Sequence, residues 1–245
     1  MTSAATSAER GSVTGGAGLP RLNGPHVDPS HAWFLHYRSL FADLQKTSRL
    51  ARGRMLDIGC GNKPFEETFS RSVGTHVGCD IEQSSESRAD VICLATNLPF
   101  KDESYGTVLI TQVIEHVADH QAMLREAYRV LEANGVLILS GPMYWPLHEE
   151  PHDFFRFTEH GFRFVLEKIG FESIKIVNNG GKWALCGQVL IHTITNTRLN
   201  RPILIRGINR LFAYLDDTHP SRDNPMNYVV VAKKPSSVLS NSGLE

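Results

Sequence analysis

The stretch that most constrains the fold is Arg54-Met55-Leu56-Asp57-Ile58-Gly59-Cys60-Gly61-Asn62. It reads as a short apolar strand that runs into an acid and then two glycines one residue apart. Glycine at both places permits a tight turn and lets a ligand approach the backbone closely. A bare Gly-x-Gly is equally compatible with an ordinary strand-to-loop turn, so the flanking pattern has to discriminate.

That pattern alternates. After the strand at 54–58, helical residues are expected over 64–70, with Pro64 suited to a first helical turn. Strands follow at 75–81 and 89–94. The run Tyr105 to Thr111 is almost continuously apolar, as in a strand buried on both faces. An amphipathic helix is expected over Asp119–Leu131, ended by Asn134-Gly135, and then a strand at Val136–Ser140. Strand and helix in alternation predict an open α/β sheet with right-handed crossovers, whose ligands sit at the carboxyl ends of the strands. Asp57–Gly61, Asp80, Asn97, Gln112 and the segment from Gly141 all fall at those ends.

The remainder flanks this core. Trp33, Phe34, Tyr37, Leu40, Phe41 and Leu44 recur at helical spacing within 31–49, as a core-packing stripe or as a lid bringing Trp33 or Tyr37 to a ligand. Thr158 caps a helix to Ile169, and strands are expected at Phe171–Val177 and Tyr228–Lys233. About 45 residues separate those two strands where a hairpin would suffice. Two helices are expected there, 182–197 and 202–216, either as a cap on the domain or as an interface for a membrane surface, a lipid-linked substrate or a second subunit. One domain over 29–235 accounts for all of this, with 182–226 as a helical insertion and loose segments at 1–28 and 236–245.

Composition narrows the function classes. A formal net charge of −1 over 245 residues argues against a dedicated nucleic-acid binder. The four cysteines show neither disulfide nor metal spacing, which fits a reducing cytoplasm. There is no signal-peptide apolar run and no stretch of the ~20 residues needed to span a bilayer.

Asp80 ends the second strand, 19 residues past Gly61, where an acid is placed to hydrogen-bond ribose hydroxyls. The third glycine of a dinucleotide fingerprint would fall on Pro64. Asp57 would repel a diphosphate and favour a cationic end. A cationic adenosyl compound is therefore preferred over a dinucleotide.

From Leu56-Asp57-Ile58-Gly59-Cys60-Gly61 onward the chain resembles the class I S-adenosylmethionine-dependent methyltransferases. The resemblance continues in order through Asp80, Asn97-Leu98-Pro99-Phe100, Tyr105-Gly106-Thr107-Val108, Val113-Ile114-Glu115-His116-Val117, and Arg129-Val130-Leu131 with Asn134-Gly135. It implies a Rossmann-like seven-stranded sheet with helices on both faces, an antiparallel last strand, and S-adenosylmethionine as cofactor. Carried over residue by residue, Gly59 and Gly61 flank the methionyl part and Asp57 orders its surroundings. Asp80 takes the ribose, the Thr96–Leu98 turn with Asn97 and Leu98 edges the adenine, Gln112 lies beside the sulfonium, and Ile81 is a further cofactor contact. Leu94 stands where many relatives have an acid.

Methyl transfer needs a nucleophile held in line, water excluded and, for some acceptors, a base. The candidate catalytic residues are His116, His148 and His152, with Tyr37, Asp153 and Arg156 as candidate substrate contacts. His116 belongs to the Glu-His pair of the superfamily and is equally suited to ordering the cofactor. His148-Glu149-Glu150-Pro151-His152 matches the zinc-peptidase pattern His-Glu-x-x-His, but Pro151 breaks the helix that this pattern needs, and no metal is expected. The segment 148–158 resembles a loop of bacterial methyltransferases associated with polysaccharide or glycolipid synthesis. Methyl transfer to a small-molecule, sugar or lipid-linked acceptor is expected. The alternative is a module that binds the cofactor without chemistry.

Overall fold

A computed structural model describes residues 24, 27–84, 86–221 and 223–236. The segments expected to be loose, 1–28 and 236–245, lie outside these residues except for Gly24, Val27, Asp28 and Ser236. Seven strands make one sheet: β1 (Arg54–Ile58), β2 (Thr75–Asp80), β3 (Val91–Ile92), β4 (Tyr105–Thr111), β5 (Leu131–Pro142), β6 (Glu172–Asn179) and β7 (Asn227–Lys233). Their order is β3-β2-β1-β4-β5-β7-β6. The first five pair in parallel, and β7 runs antiparallel to both β5 and β6. This is the expected sheet with its antiparallel last strand. The strand order reverses at β1, between β2 and β4, and that is where a doubly wound sheet opens a cleft.

Six helices cover it: α1 (Phe34–Thr47), α2 (Glu66–Phe69), α3 (His120–Val130), α4 (Glu159–Ile169), α5 (Lys182–Thr195) and α6 (Pro202–Thr218). On one face Met123, Ala127 and Val130 of α3 and Phe162 and Leu166 of α4 pack on Leu56, Val108 and Leu137. On the other, Leu40 and Leu44 of α1 pack on Met55, Leu109 and Ile138. A third cluster joins Leu35 of α1 to Ile191 of α5 and Ile205 and Ala213 of α6. The insertion is thus fastened to the chain before α1 as well. Asn209 Nδ2 donates to the carbonyls of Pro29 (2.6 Å) and His31 (2.9 Å), and Gln188 Nε2 donates to that of Ala32 (2.8 Å).

Several boundaries differ from the sequence reading. The strand expected over 89–94 shortens to Val91–Ile92, and the one expected at 136–140 runs from Leu131 to Pro142. The third helix stops at Val130, because fully buried Leu131 is already extended and pairs with Tyr105. Asn134, at φ 61°, therefore lies inside β5, in the irregular stretch between the Leu131 and Val136 pairings, instead of ending a helix. The helix expected over 64–70 shrinks to the single turn of α2, with Phe65 as its N-cap and Pro64 outside it. The first helix begins at Phe34, after a turn in which the Trp33 N–H donates to His31 Nδ1 (3.1 Å).

The Asn97–Phe100 turn owes its shape to α3. The Leu98 N–H donates to Glu126 Oε2 (2.7 Å), and Arg129 donates to the carbonyls of Leu98 (3.0 Å) and Phe100 (2.8 Å). Glu126 also holds Arg129 directly (2.8 Å).

Buried His36, on α1, accepts a hydrogen bond from Asn227 Nδ2 at its Nδ1 (3.0 Å), so that nitrogen carries no proton. Burial, with His192 and His148 nearby, depresses its pKa from 6.5 to about 3. The unfolded chain takes this proton near pH 6.5 and the folded one refuses it, so the stability contribution is complete above pH 6.5 and is lost as pH falls toward 3. At pH 5 the His36 term is expected to cost about 2 kcal/mol relative to pH 7.5. Urea unfolding at the two pH values checks the loss, and NMR of the His36 ring should show it still neutral at pH 5.

Candidate active site

A cavity of about 580 Å³ opens at the carboxyl ends of β1, β2 and β4. Its floor is the glycine turn. Gly59 and Gly61 adopt φ of 71° and 51°, the left-handed region that favours glycine, and a Cβ at Gly59 would collide with the Val113 side chain. The N–H groups of Gly59 and Cys60 both donate to the Cys79 carbonyl (2.8 and 3.1 Å). Asp80 fastens the turn from the next strand: Oδ2 accepts from the Gly61 N–H at 2.9 Å and Oδ1 from the Ile81 N–H at 2.8 Å.

Of the residues singled out from the sequence, Gly59, Gly61, Asp80, Ile81 and Gln112 line the cavity, and so do Tyr37, His116, His148 and His152. Asp57, Asn97, Leu98, Asp153 and Arg156 are not among its lining residues. Asp57 is buried and its Oδ2 contacts His76 Nε2 at 3.1 Å. Leu98 is in the core under α3, and Asn97 is exposed. At that edge the wall is Leu94, Ala95 and Thr96. Ile81 and Leu94 both line the cavity and keep more than half of their surface exposed (66% and 53%), an apolar mouth fit to receive a flat apolar ring.

The loop after β5 is folded back by one ion pair. Arg156 donates to Asp153 Oδ1 (2.6 Å) and Oδ2 (2.8 Å) and to the Trp145 carbonyl (3.1 Å). Burial alone would raise the Asp153 pKa. The Arg156 bonds, the His148 N–H and the nearby charges outweigh it and hold the carboxyl at about 2. Both residues therefore shape the loop.

That shape stacks His148 edge-on against His116, ring centres 4.5 Å apart. His116 Nδ1 lies 2.8 Å from the carbonyl of His152, and His148 Nδ1 lies 3.2 Å from Asp153 Oδ2 and from the Pro146 carbonyl. These partners only accept, so each Nδ1 is the protonated nitrogen and each neutral ring keeps a lone pair on Nε2. Burial, with His116 beside it, lowers the His148 pKa and keeps that ring neutral. His152 contributes its carbonyl, and its own ring is exposed.

Gln112 closes β4 at φ 54°, a strained setting for a non-glycine residue. It is held by Ser140 through both its N–H (3.1 Å, to the carbonyl) and its Nε2 (3.1 Å, to Oγ). Burial, with Glu115 and Glu149 nearby, pushes the Tyr37 phenol up to about 12, so it remains a donor.

Sequence reasoning missed Glu115, Glu149, His36 and Trp145 in this neighbourhood. Glu115 is buried with no hydrogen-bond donor to either carboxylate oxygen, and burial pushes it up to about 8. Glu149 and Trp145 line the cavity, and His36 packs on Trp145 with ring centres 4.3 Å apart. A signal for His36 existed: with Trp33, Tyr37 and Leu40 it completes one face of α1, and all four line the cavity.

Residues 56–139 match the family described as a methyltransferase domain. Among curated proteins, an uncharacterized protein of Methanocaldococcus jannaschii is 31% identical over 113 residues, 44% of this chain and 54% of its own length. A ubiquinone biosynthesis O-methyltransferase of Azorhizobium caulinodans is 34% identical over 99 residues (36% and 39%). A probable S-adenosylmethionine-dependent methyltransferase of Mycobacterium tuberculosis is 26% identical over 126 residues (48% and 45%). The chain thus spans about half or less of the length of these relatives. Among solved structures, the [4+2]-cyclase SpnF superposes with a TM-score of 0.56 at 18% identity, covering 87% of this chain and 86% of that one. Phosphoethanolamine N-methyltransferase 2 of Haemonchus contortus, in complex with S-adenosyl-L-methionine, gives 0.54 at 20% identity, covering 81% and 52%. Motif block, sheet order and cleft agree with the match of residues 56–139 to a methyltransferase domain.

Proposed function

We propose that this protein transfers a methyl group from S-adenosylmethionine to a small-molecule, sugar or lipid-linked acceptor. The observation that carries the reading is a single cavity reaching from the Gly59–Gly61 turn and Asp80 to two imidazoles, His116 and His148. Its donor end fits the cofactor. Gly59 and Gly61 leave room beside the backbone for the methionyl part, the Asp80 carboxylate accepts from ribose hydroxyls, and Ile81 and Leu94 receive the adenine. Asp57, Asn97 and Leu98 act through the turns they hold. Gln112, fixed by Ser140, borders the sulfonium. Bound S-adenosylmethionine supplies a methyl group on a sulfonium, open to in-line displacement.

The chain's own work is at the other end. Tyr37 offers a hydroxyl to orient the acceptor, and Trp33 and Trp145 help exclude water. The Nε2 of His116 or His148, whose Nδ1 is engaged elsewhere, takes the acceptor's proton, while the exposed ring of His152 is left to the rim and Asp153 and Arg156 to positioning the loop. Relatives named for ubiquinone biosynthesis and for 2-methyl-6-phytyl-1,4-hydroquinone support an acceptor that is a small molecule with a polyprenyl-like tail. The fold also serves a [4+2]-cyclase, so it does not by itself fix methyl transfer. A module that holds the cofactor without chemistry remains the competing reading.

The same acceptor class motivates a membrane contact for a cytoplasmic protein. No helix among the described residues is long and apolar enough to cross a bilayer. The outer side of α6 and the turn before it instead expose Leu199, Ile203, Leu211 and Tyr214, beside exposed Arg198, Arg201 and Arg210. Apolar side chains ringed by arginines suit the surface of an anionic bilayer.

Three measurements test these proposals. Calorimetry with S-adenosylhomocysteine should show 1:1 binding, weakened about 5- to 150-fold by Asp80→Ala, the equivalent of about 1–3 kcal/mol. Unchanged affinity would refute the ribose assignment. Labelled methyl transfer on panels of phenols and quinols, sugars and lipid-linked sugars should then find turnover, and tight binding with none on any panel would favour the binding module. In flotation with vesicles containing anionic lipid, the wild type should co-float, and Ile203→Glu with Leu211→Glu should abolish this. Equal flotation of both would exclude the α6 surface.

A further inference from the structure

Where His148 meets His116, the side chains assemble a set of donors that methyl transfer alone does not explain. Glu115, His116 and His148 each present one ligand-type atom, and these atoms lie within 4.8 Å of one another. Four-coordinate N/O ligands around a zinc-sized ion are spaced by about 3.4 Å, so the set needs to close by roughly an ångström. Three features point the same way. Each imidazole is already oriented through Nδ1, by the His152 carbonyl in one case and the Asp153 carboxylate in the other, which leaves Nε2 as the bare nitrogen. This is the outer-shell arrangement that metal-bound histidines commonly have. The Glu115 carboxylate is buried, and no hydrogen-bond donor reaches either oxygen. Its nearest cation-forming group is His116 Nε2 at 3.9 Å. Glu149 Oε2, also 3.9 Å from His116 Nε2, adds a second negative group at the accessible rim.

We propose that Glu115, His116 and His148 bind a divalent transition-metal ion of the zinc type. Its remaining coordination position would turn toward the cavity that His116 and His148 line. An acceptor oxygen, or a water in its absence, fits that position, and its proton would be acidified by the ion instead of being taken by either ring. This use of the ion rests on the methyltransferase reading; the binding does not. The His-Glu-x-x-His spacing plays no part, because Pro151 keeps His148 and His152 off a common helix and the latter contributes a carbonyl.

Chelator-stripped protein titrated with Zn²⁺ in a calorimeter should bind one ion per chain. Co²⁺ in its place should give visible absorption bands of low-symmetry N/O coordination. Glu115→Gln and His148→Ala should each weaken binding by about 10-fold or more, and Asp153→Asn by about 10- to 100-fold. His160→Ala, an exposed histidine on α4, should leave it unchanged. S-adenosylhomocysteine binding by the same samples separates failure of this site from failure of the donor site, and should survive in both ligand variants. If Glu115→Gln does not fold, His148→Ala decides alone. Absence of 1:1 binding in the wild type, or equal affinity in the folded ligand variants, would overturn the proposal.

Discussion

The hydrogen bond from the Gly61 N–H to the Asp80 carboxylate, at 2.9 Å, ties the ends of β1 and β2 together and fixes the glycine turn between them. Everything at the donor end depends on it. The turn can be this tight only because Gly59 and Gly61 take left-handed backbone angles and Gly59 has no Cβ to meet Val113. Asp80 holds the turn through both Gly61 and Ile81, and it is the acid that we propose meets the ribose hydroxyls. Polar pairs behind it reinforce the arrangement: buried Asp57 meets His76, and buried Lys63 donates to exposed Asp90 at 2.6 Å.

At the opposite end a second carboxylate plays the organising part. Asp153 binds the Arg156 guanidinium through both oxygens and reaches His148 as well, so one residue sets the loop's path and the imidazole's tautomer. The loop then lays His148 on His116 and its own carbonyl at 152 on His116 Nδ1. Two rings from distant segments become one polar surface beside an aromatic wall of Trp33, Tyr37 and Trp145. The insertion α5–α6 supports that wall from behind, because Asn209 and Gln188 hold the carbonyls of Pro29, His31 and Ala32 at the entry to α1.

Much of this was legible in the sequence, and the unread parts have physical causes. Strand and helix periodicity, the glycine pair and the acid 19 residues on were enough to place the cleft at β1, β2 and β4. Periodicity also assigned the α1 stripe, whose residues divide: Leu44 packs in the core, while Trp33, Tyr37 and Leu40 line the cavity. What spacing does not carry is the direction of a side chain near a strand end. Asp57 lies two residues before Gly59, yet side-chain alternation along β1 sends it to His76 and away from the cavity wall. Asn97 and Leu98 were assigned by motif to the adenine edge; the α3 residues Glu126 and Arg129 draw their turn inward and leave Leu94–Thr96 on the wall. The helix boundary at Val130 moved because Leu131 gains full burial as a strand residue. Glu115 was visible as half of a Glu-His pair, but its isolation from every donor is a product of packing that no local pattern encodes.

In the function proposed, one cavity aligns donor and acceptor along the line from Asp80 to His116. A crystal structure with S-adenosylhomocysteine tests this most directly. Ribose hydroxyls are expected within hydrogen-bond reach of Asp80, adenine between Ile81 and Leu94, and the thioether sulfur directed past Gln112 toward His116 and His148. A ligand bound with its ribose away from Asp80, or with its sulfur turned from the two histidines, would contradict it.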